Sequence, residues 1–258
     1  MTRFAAPPPL HIQALGGIPL VREGDDITAL ILSALRENQV ELQEGDVLVV
    51  SSKIISKAEG RRVALDSVKP GEEAMRLAEE VQKDPRVVEL ILQESSMVSR
   101  TAPYVLVTQH RLGFVSANSG IDQSNIEYSE DYVLLLPLDP DASAITLRDR
   151  LLAETGQHIA IVVSDTHGRP FRLGNIGVAI GLAGIPALVD QRGETDLFGR
   201  VLKATVQGYG DLIASAAHLV CGEGAEGLPV VLVRGLDLPD GEGTARDLNR
   251  PPEMDLYR

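Results

Sequence analysis

The sequence predicts an α+β protein with mixed β-sheets and flanking helices, arranged neither as a Rossmann fold nor as a P-loop fold, and three observations carry that prediction. Strand-like and helix-like segments alternate along the 258 residues, but irregularly. The stretch "HIAIVVSDTHGRPFR" at 158–172 contains an unbroken, mostly β-branched run at 159–163, the pattern of a strand covered on both faces. Neither nucleotide-binding signature is usable. No G-x-x-x-x-G-K-[ST] occurs, and the literal G-x-G-x-x-G of "CGEGAEG" (Gly222, Gly224, Gly227) follows a helical segment and precedes a strand instead of opening a helix.

The elements follow in order. After a proline-rich start, "GDDITALILSALRENQ" places Ile27, Leu30, Ile31, Ala34 and Leu35 at helical spacing behind an Asp that can cap the helix. "GDVLVVSSKIISKAEGR" reads as a strand at 47–50, a polar break and a second short apolar piece. The acidic segment 72–95 is helical in pattern and is split at "DPR", since Pro85 cannot continue a helix without a new start. "YVLVTQHRLGFVSANSG" predicts a pair of strands in a hairpin, and "YVLLLPLDPDAS" a strand leading into a helix near 144–153. The buried strand at 159–163 comes next, then a helix at about 202–220, the glycine loop, and a last strand in "LPVVLVRG".

Composition narrows the function classes. A formal charge of -13 and 44% hydrophobic residues describe a globular chain without the clustered lysine and arginine of a general nucleic-acid binder. Anionic small molecules remain compatible with that charge where lysines, metal ions or backbone N–H groups face them locally. One cysteine, Cys221, leaves no intramolecular disulfide and points to a reducing compartment. The start, "MTRFAAPPPLHIQALGG", has no apolar signal core, and no later run has the length of a membrane span, so a soluble cytoplasmic protein is expected.

Four stretches carry candidate chemistry, each beside a plainer reading. Ser164, Asp165 and Thr166 follow the buried strand over the crevice where α/β sheets bind ligands; they are equally good turn formers. In "SANSGIDQSN", Asp122 lies among small and amide residues. With Asp165 it offers the hard oxygens that Mg²⁺ or Mn²⁺ prefers, the alternative being two unrelated Asx-turns. Ser52 and Lys57 of "SSKIISK" lie just past a strand, where they can reach phosphate oxygens; Lys53 and Lys57 also fit solvated surface lysines. The glycine loop either touches a ligand through its amides and Glu223 or is an inert helix end. The five histidines are scattered without zinc spacing. A Ser-His-Asp hydrolase is left open, although no G-x-S-x-G occurs.

Taken in order, "GDDI", "GDVLVVSSKIISKAEGR", "GFVSANSGIDQSN", "LPLDPDASA", "VVSDTHGRPFRLGNIGVAIGLAGI", "IASAAHLV" and "PVVLVRG" resemble the coenzyme F420-0:L-glutamate ligase family, also called F420 gamma-glutamyl ligase, from about Leu15 to the closing "DLYR". The resemblance is to the stand-alone form. It implies one ligase domain over 1–258 in an intertwined, two-lobed fold, with no appended nitroreductase-like domain, acting as a homodimer. The implied activity is GTP-dependent. L-glutamate is joined through an amide to the lactyl carboxylate of coenzyme F420-0, by way of an acyl phosphate, and further gamma-linked glutamates can follow.

Carried over by position, the resemblance implies nucleotide contacts from Ile18, Pro19, Leu20, Val21, Ser52, Lys57 and Asn125, and from Cys221, Gly222, Glu223, Gly224, Ala225, Glu226, Gly227 and Leu228. Asp122 and Asp165 would share one divalent cation, with Thr166 and Glu223 at a second, the pair being Mg²⁺ or Mn²⁺ and K⁺ a further candidate. Asp122, Asp165 and Lys57 are the residues expected to carry catalysis. The loop around Glu223 varies within the family, and the stretch after Asn125 is slightly longer than in actinobacterial members. Two other functions fit the same residues: a metal-dependent nucleotide phosphohydrolase, in which water replaces the amine, and a nucleotide-binding regulatory module.

Overall fold

The computed structural model describes residues 6–255, so the first five residues and the last three of the "DLYR" block lie outside the described residues. Its central sheet has the order β1 (His11–Ala14), β12 (Val230–Arg234), β2 (Val47–Ser51), β8 (Ala160–Arg169), β9 (Arg172–Ala183). Only β2 and β8 run parallel, from Val47 beside Ala160 to Ser51 beside Ser164; the other pairs are antiparallel, which makes the sheet mixed.

The unbroken aliphatic runs are explained by two cores, one on each face. Leu48, Val50, Ile161, Val163, Val230 and Leu232 point to one; Val47, Val49, Ala160, Val162, Val231 and Val233 point to the other. Successive residues of a strand face opposite ways, so a strand between two layers must be apolar at every position. Helices α1 (Ile27–Glu37), α2 (Ser52–Ala58) and α5 (Pro140–Thr155) contribute to the first core, and α6 (Tyr209–Cys221) closes the second. A Cβ at Gly177 of β9 would collide with the Ala214 carbonyl and the His218 ring, so glycine is what lets α6 lie this close to the sheet.

A third core gathers α3 (Glu72–Val81), α4 (Pro85–Gln93) and apolar residues from β5 (Val105–His110) and β7 (Tyr132–Leu134). Beside it lie the sheet β4 (Ser95–Ala102), β5, β6 (Val115–Ala117) and the pair β3 (Arg62–Ala64) with β7. Helix starts follow local chemistry. The Asp26 carboxylate accepts from Ala29 N–H, Asp84 precedes Pro85 at the first turn of α4, and Asp139 caps α5 ahead of Pro140.

Three expectations are corrected. The strand expected at 159–163 does not stop there: β8 runs on through Ser164, Asp165 and Thr166 to Arg169, paired with β9, so these are strand residues rather than a turn. Beyond Ser164 the strand has lost its β2 neighbour, and a register shift sits between Val163 and Ser164, which is why its sequence turns polar without the strand ending. The polar break after β2 is helix α2, whose seven residues are too few for periodicity to be read. The helix expected from 202 starts at Tyr209; the residues before it form an edge strand, β11 (Val206–Gly208), paired with β10 (Leu188–Asp190).

Candidate functional site

The parallel pairing of β2 with β8 ends at Ser51 and Ser164, and a cleft of about 1160 Å³ opens past the carboxyl end of β2, beside the continuing β8. Every residue expected to bind nucleotide or cation lines it. The segment 18–21 borders the cleft, with Val21 buried in the first core and Leu20 exposed; Ser52 and Lys57 enter from α2; Asp122 and Asn125 come from the loop after β6. Asp165 and Thr166 come from β8, and the whole of 221–228, Glu223 included, closes the rim.

Helix α2 organises the site. The Lys53 ammonium lies 2.5 Å from Asp122 Oδ2 and also donates to the Ser124 carbonyl at 2.9 Å and to Ser124 Oγ at 3.0 Å. One turn on, Lys57 Nζ donates to the Asn125 carbonyl at 2.8 Å, and the Asn125 side-chain amide donates to the Gly224 carbonyl at 2.9 Å. Two lysines four residues apart thus face one side of a short helix and hold the 122–125 loop, which in turn holds the glycine loop. Burial pushes the Lys57 ammonium below its ordinary pKa, and the charge of Lys53 adds to this. An anion placed between them would relieve both effects.

Asp122 serves a turn and a charge at once. Its Oδ1 accepts from Ser124 N–H at 2.6 Å, the Asx-turn of the plainer reading, while Oδ2 faces Lys53. Burial alone would raise its pKa, but the lysine bond and charge and the Ser124 bonds outweigh that and hold it below the usual range. Asp165 Oδ2 accepts from His167 Nε2 at 3.2 Å. The His167 ring lies 4.9 Å from Phe114, which stacks at 5.0 Å on buried His110, so the group that orients Asp165 is itself fixed by packing. Gly120, at φ +63°, brings the loop of Asp122 against β8: a Cβ there would sit 3.4 Å from Asp165 Oδ2 and 2.7 Å from Leu136.

The donors fit a cation that keeps most of its own shell. No group of three or more histidine, cysteine, aspartate and glutamate side chains with the makings of a metal cage occurs among the described residues. Two carboxylates and the Thr166 hydroxyl on one cleft suit Mg²⁺ or Mn²⁺, which take one or two carboxylates and complete the shell with water and phosphate oxygens. Glu223 is held toward β9, its Oε2 accepting from Asn175 Nδ2 at 3.3 Å. The glycine loop lies at the C-terminal end of α6 and faces the cleft.

Lys53, His167 and Asn175 were not singled out from sequence. Reading "SKIISKA" as helical would have placed Lys53 on the face of Lys57; no comparable signal marks His167 or Asn175, whose roles depend on strand pairing.

Fold and site together define an α+β protein with an acidic and lysine-bearing cleft at its strand ends and no P-loop. The chain belongs to the F420-0:Gamma-glutamyl ligase family, whose model matches residues 17–235. It is 45% identical over 255 residues to the coenzyme F420:L-glutamate ligase of Methanopyrus kandleri, covering 97% of this chain and 98% of that one. The protein of the same name from Methanothermobacter thermautotrophicus is 45% identical over 246 residues, covering 94% of this chain and 96% of its own. That from Archaeoglobus fulgidus is 45% identical over 242 residues, 94% of each. Among the described residues, no helix is long and apolar enough to cross a membrane.

Proposed function

We propose that this protein is a GTP-dependent ligase that joins the amino group of L-glutamate to the lactyl carboxylate of coenzyme F420-0 and can add further gamma-linked glutamates. The observation that carries the proposal is the convergence on one cleft of every residue expected to contact nucleotide or cation, in a chain whose relatives are named for this ligation. A carboxylate does not condense with an amine until it holds a better leaving group. The γ-phosphoryl group therefore moves to the carboxylate oxygen, giving an acyl phosphate and GDP; the glutamate amine then attacks the acyl carbon and phosphate departs.

Lys57 supplies positive charge to the phosphates, and the 221–228 loop and Asn125 supply backbone and amide donors around the nucleotide. Asp122, Asp165, Thr166 and Glu223 would hold two divalent cations, Mg²⁺ or Mn²⁺, with K⁺ a further candidate. Such ions, when bound, neutralise phosphate oxygens and align an in-line transfer. The enzyme acts as a homodimer, for which the exposed apolar tips at Phe171, Leu173, Leu197 and Phe198 are supporting observations.

Incubation with F420-0, L-glutamate, GTP and Mn²⁺ is expected to give products heavier by one or more glutamate residues, read by mass spectrometry. GTP consumed without precursor, and no heavier product with it, would instead favour a phosphohydrolase. Lys57→Ala is expected to raise the KM for GTP or lower kcat about tenfold, as loss of a charged hydrogen bond does. Its stability cost should stay near 1 kcal/mol, because the Asn125 bond it removes is partly exposed. Unchanged kinetics would return Lys57 to a loop-holding role only.

A further inference from the structure

We infer that Lys53 is the resident counter-ion of Asp122, which a divalent cation must displace in order to bind. The inference rests on the proposed cation site at Asp122. Both oxygens of that carboxylate are engaged: Oδ1 by Ser124 N–H at 2.6 Å and Oδ2 by the Lys53 ammonium at 2.5 Å. An ammonium at that distance occupies the approach a metal ion would use, and two cations on one carboxylate oxygen repel each other. Binding is therefore an exchange.

The structure provides somewhere for the displaced charge to stay. Lys53 already donates to the Ser124 carbonyl and hydroxyl, so it can release Asp122 while keeping two partners on the same loop. The loop itself is held independently, because Lys57 binds the Asn125 carbonyl and Asn125 binds the Gly224 carbonyl. Exchange at Asp122 thus need not dismantle the cleft. Its consequence is that the Asp122 carboxylate is kept oriented and neutralised, and adventitious cations are resisted until a substrate brings further negative charge.

Mn²⁺ binding without nucleotide tests this, measured by titration calorimetry on the wild type, Lys53→Met, Lys53→Arg and Asp122→Asn, with a thermal melt on each. Lys53→Met keeps most of the apolar stem but no charge, and is expected to bind Mn²⁺ about two- to fivefold more tightly, the range for losing one partly exposed competing ion pair. Lys53→Arg should restore wild-type affinity. A purely structural role for Lys53 predicts the opposite sign, since a loosened Asp122 would bind the ion less well. Folded Lys53→Met with equal or weaker affinity, beside an Asp122→Asn that has lost Mn²⁺ binding, overturns the exchange while keeping the cation site. Asp122→Asn that binds Mn²⁺ like the wild type overturns the cation site, and the exchange with it.

Discussion

Asp165→Asn is expected to fold and to lose glutamate ligation by about two orders of magnitude or more, the scale of effect for groups that stabilise charge in a transition state. Asn keeps the side chain's size and can still accept from His167, so the 3.2 Å contact and the β8 pairing with Val178 survive. Only the negative charge is removed. Because Asp165 lies within a strand and not in a turn, the substitution has no local conformational task to spoil. Asp122→Asn should behave similarly: its Oδ1 can still accept from Ser124 N–H, and the ion pair it forfeits with Lys53 is partly exposed and worth about 1 kcal/mol or less. The double variant should be little slower than either single one, since ligands of one ion act as a unit. Ligation rate, circular dichroism and bound Mn²⁺ on the three proteins give the answer, and folded single variants with near-normal rates would sink the proposed cation site.

What the sequence made legible here was whatever depends on local chemistry or on burial from both sides. The run at 159–163, the strand at 47–50 and the last strand each proclaim themselves because two cores leave no position for a polar residue. Pro85 and the aspartate ahead of Ile27 mark helix starts for reasons confined to their own turns, whereas the helix expected near 144–153 starts earlier, at Pro140. Asp122 stood out as an acid among small and amide residues, and Asp165 as an acid just past an apolar run. The polar half of β8 and the exposed first half of β9 did not, because they pair only with each other beyond Ser164 and so lack the two-sided burial that makes an aliphatic run. The Lys53 to Asp122 contact was illegible for a related reason. It joins residues far apart in the chain through a helix of seven residues.

The largest stability effect is expected at Glu94, which no reading of the sequence singled out. This buried residue follows α4, and its carboxylate accepts from Arg61 Nη2 at 3.0 Å and from Arg111 Nε at 3.0 Å, with His110 Nε2 at 3.4 Å. The same arginines donate onward, Arg61 to the Leu136 carbonyl and Arg111 to the Leu138 carbonyl, so the cluster fastens α4 to the segment behind the cleft. His110 also carries the stack through Phe114 to His167 and Asp165. Burial alone would raise the Glu94 pKa; the histidine and the two arginines overcome it and hold the group at about 2, against an ordinary 4.5. A folded pKa below the unfolded one contributes stability above about pH 4.5 and loses it as pH falls toward 2, and a gap of that size corresponds to about 3 kcal/mol. Glu94→Gln leaves two guanidinium groups facing a neutral partner, for which about 3 kcal/mol is again the expected loss. Urea unfolding of both proteins should therefore show a difference of that size at pH 7 that narrows steadily between pH 4.5 and pH 3, because acid does to the wild type what the substitution has already done. A difference that stays constant across that range would mean the carboxylate's charge is not what joins α4 to the cleft.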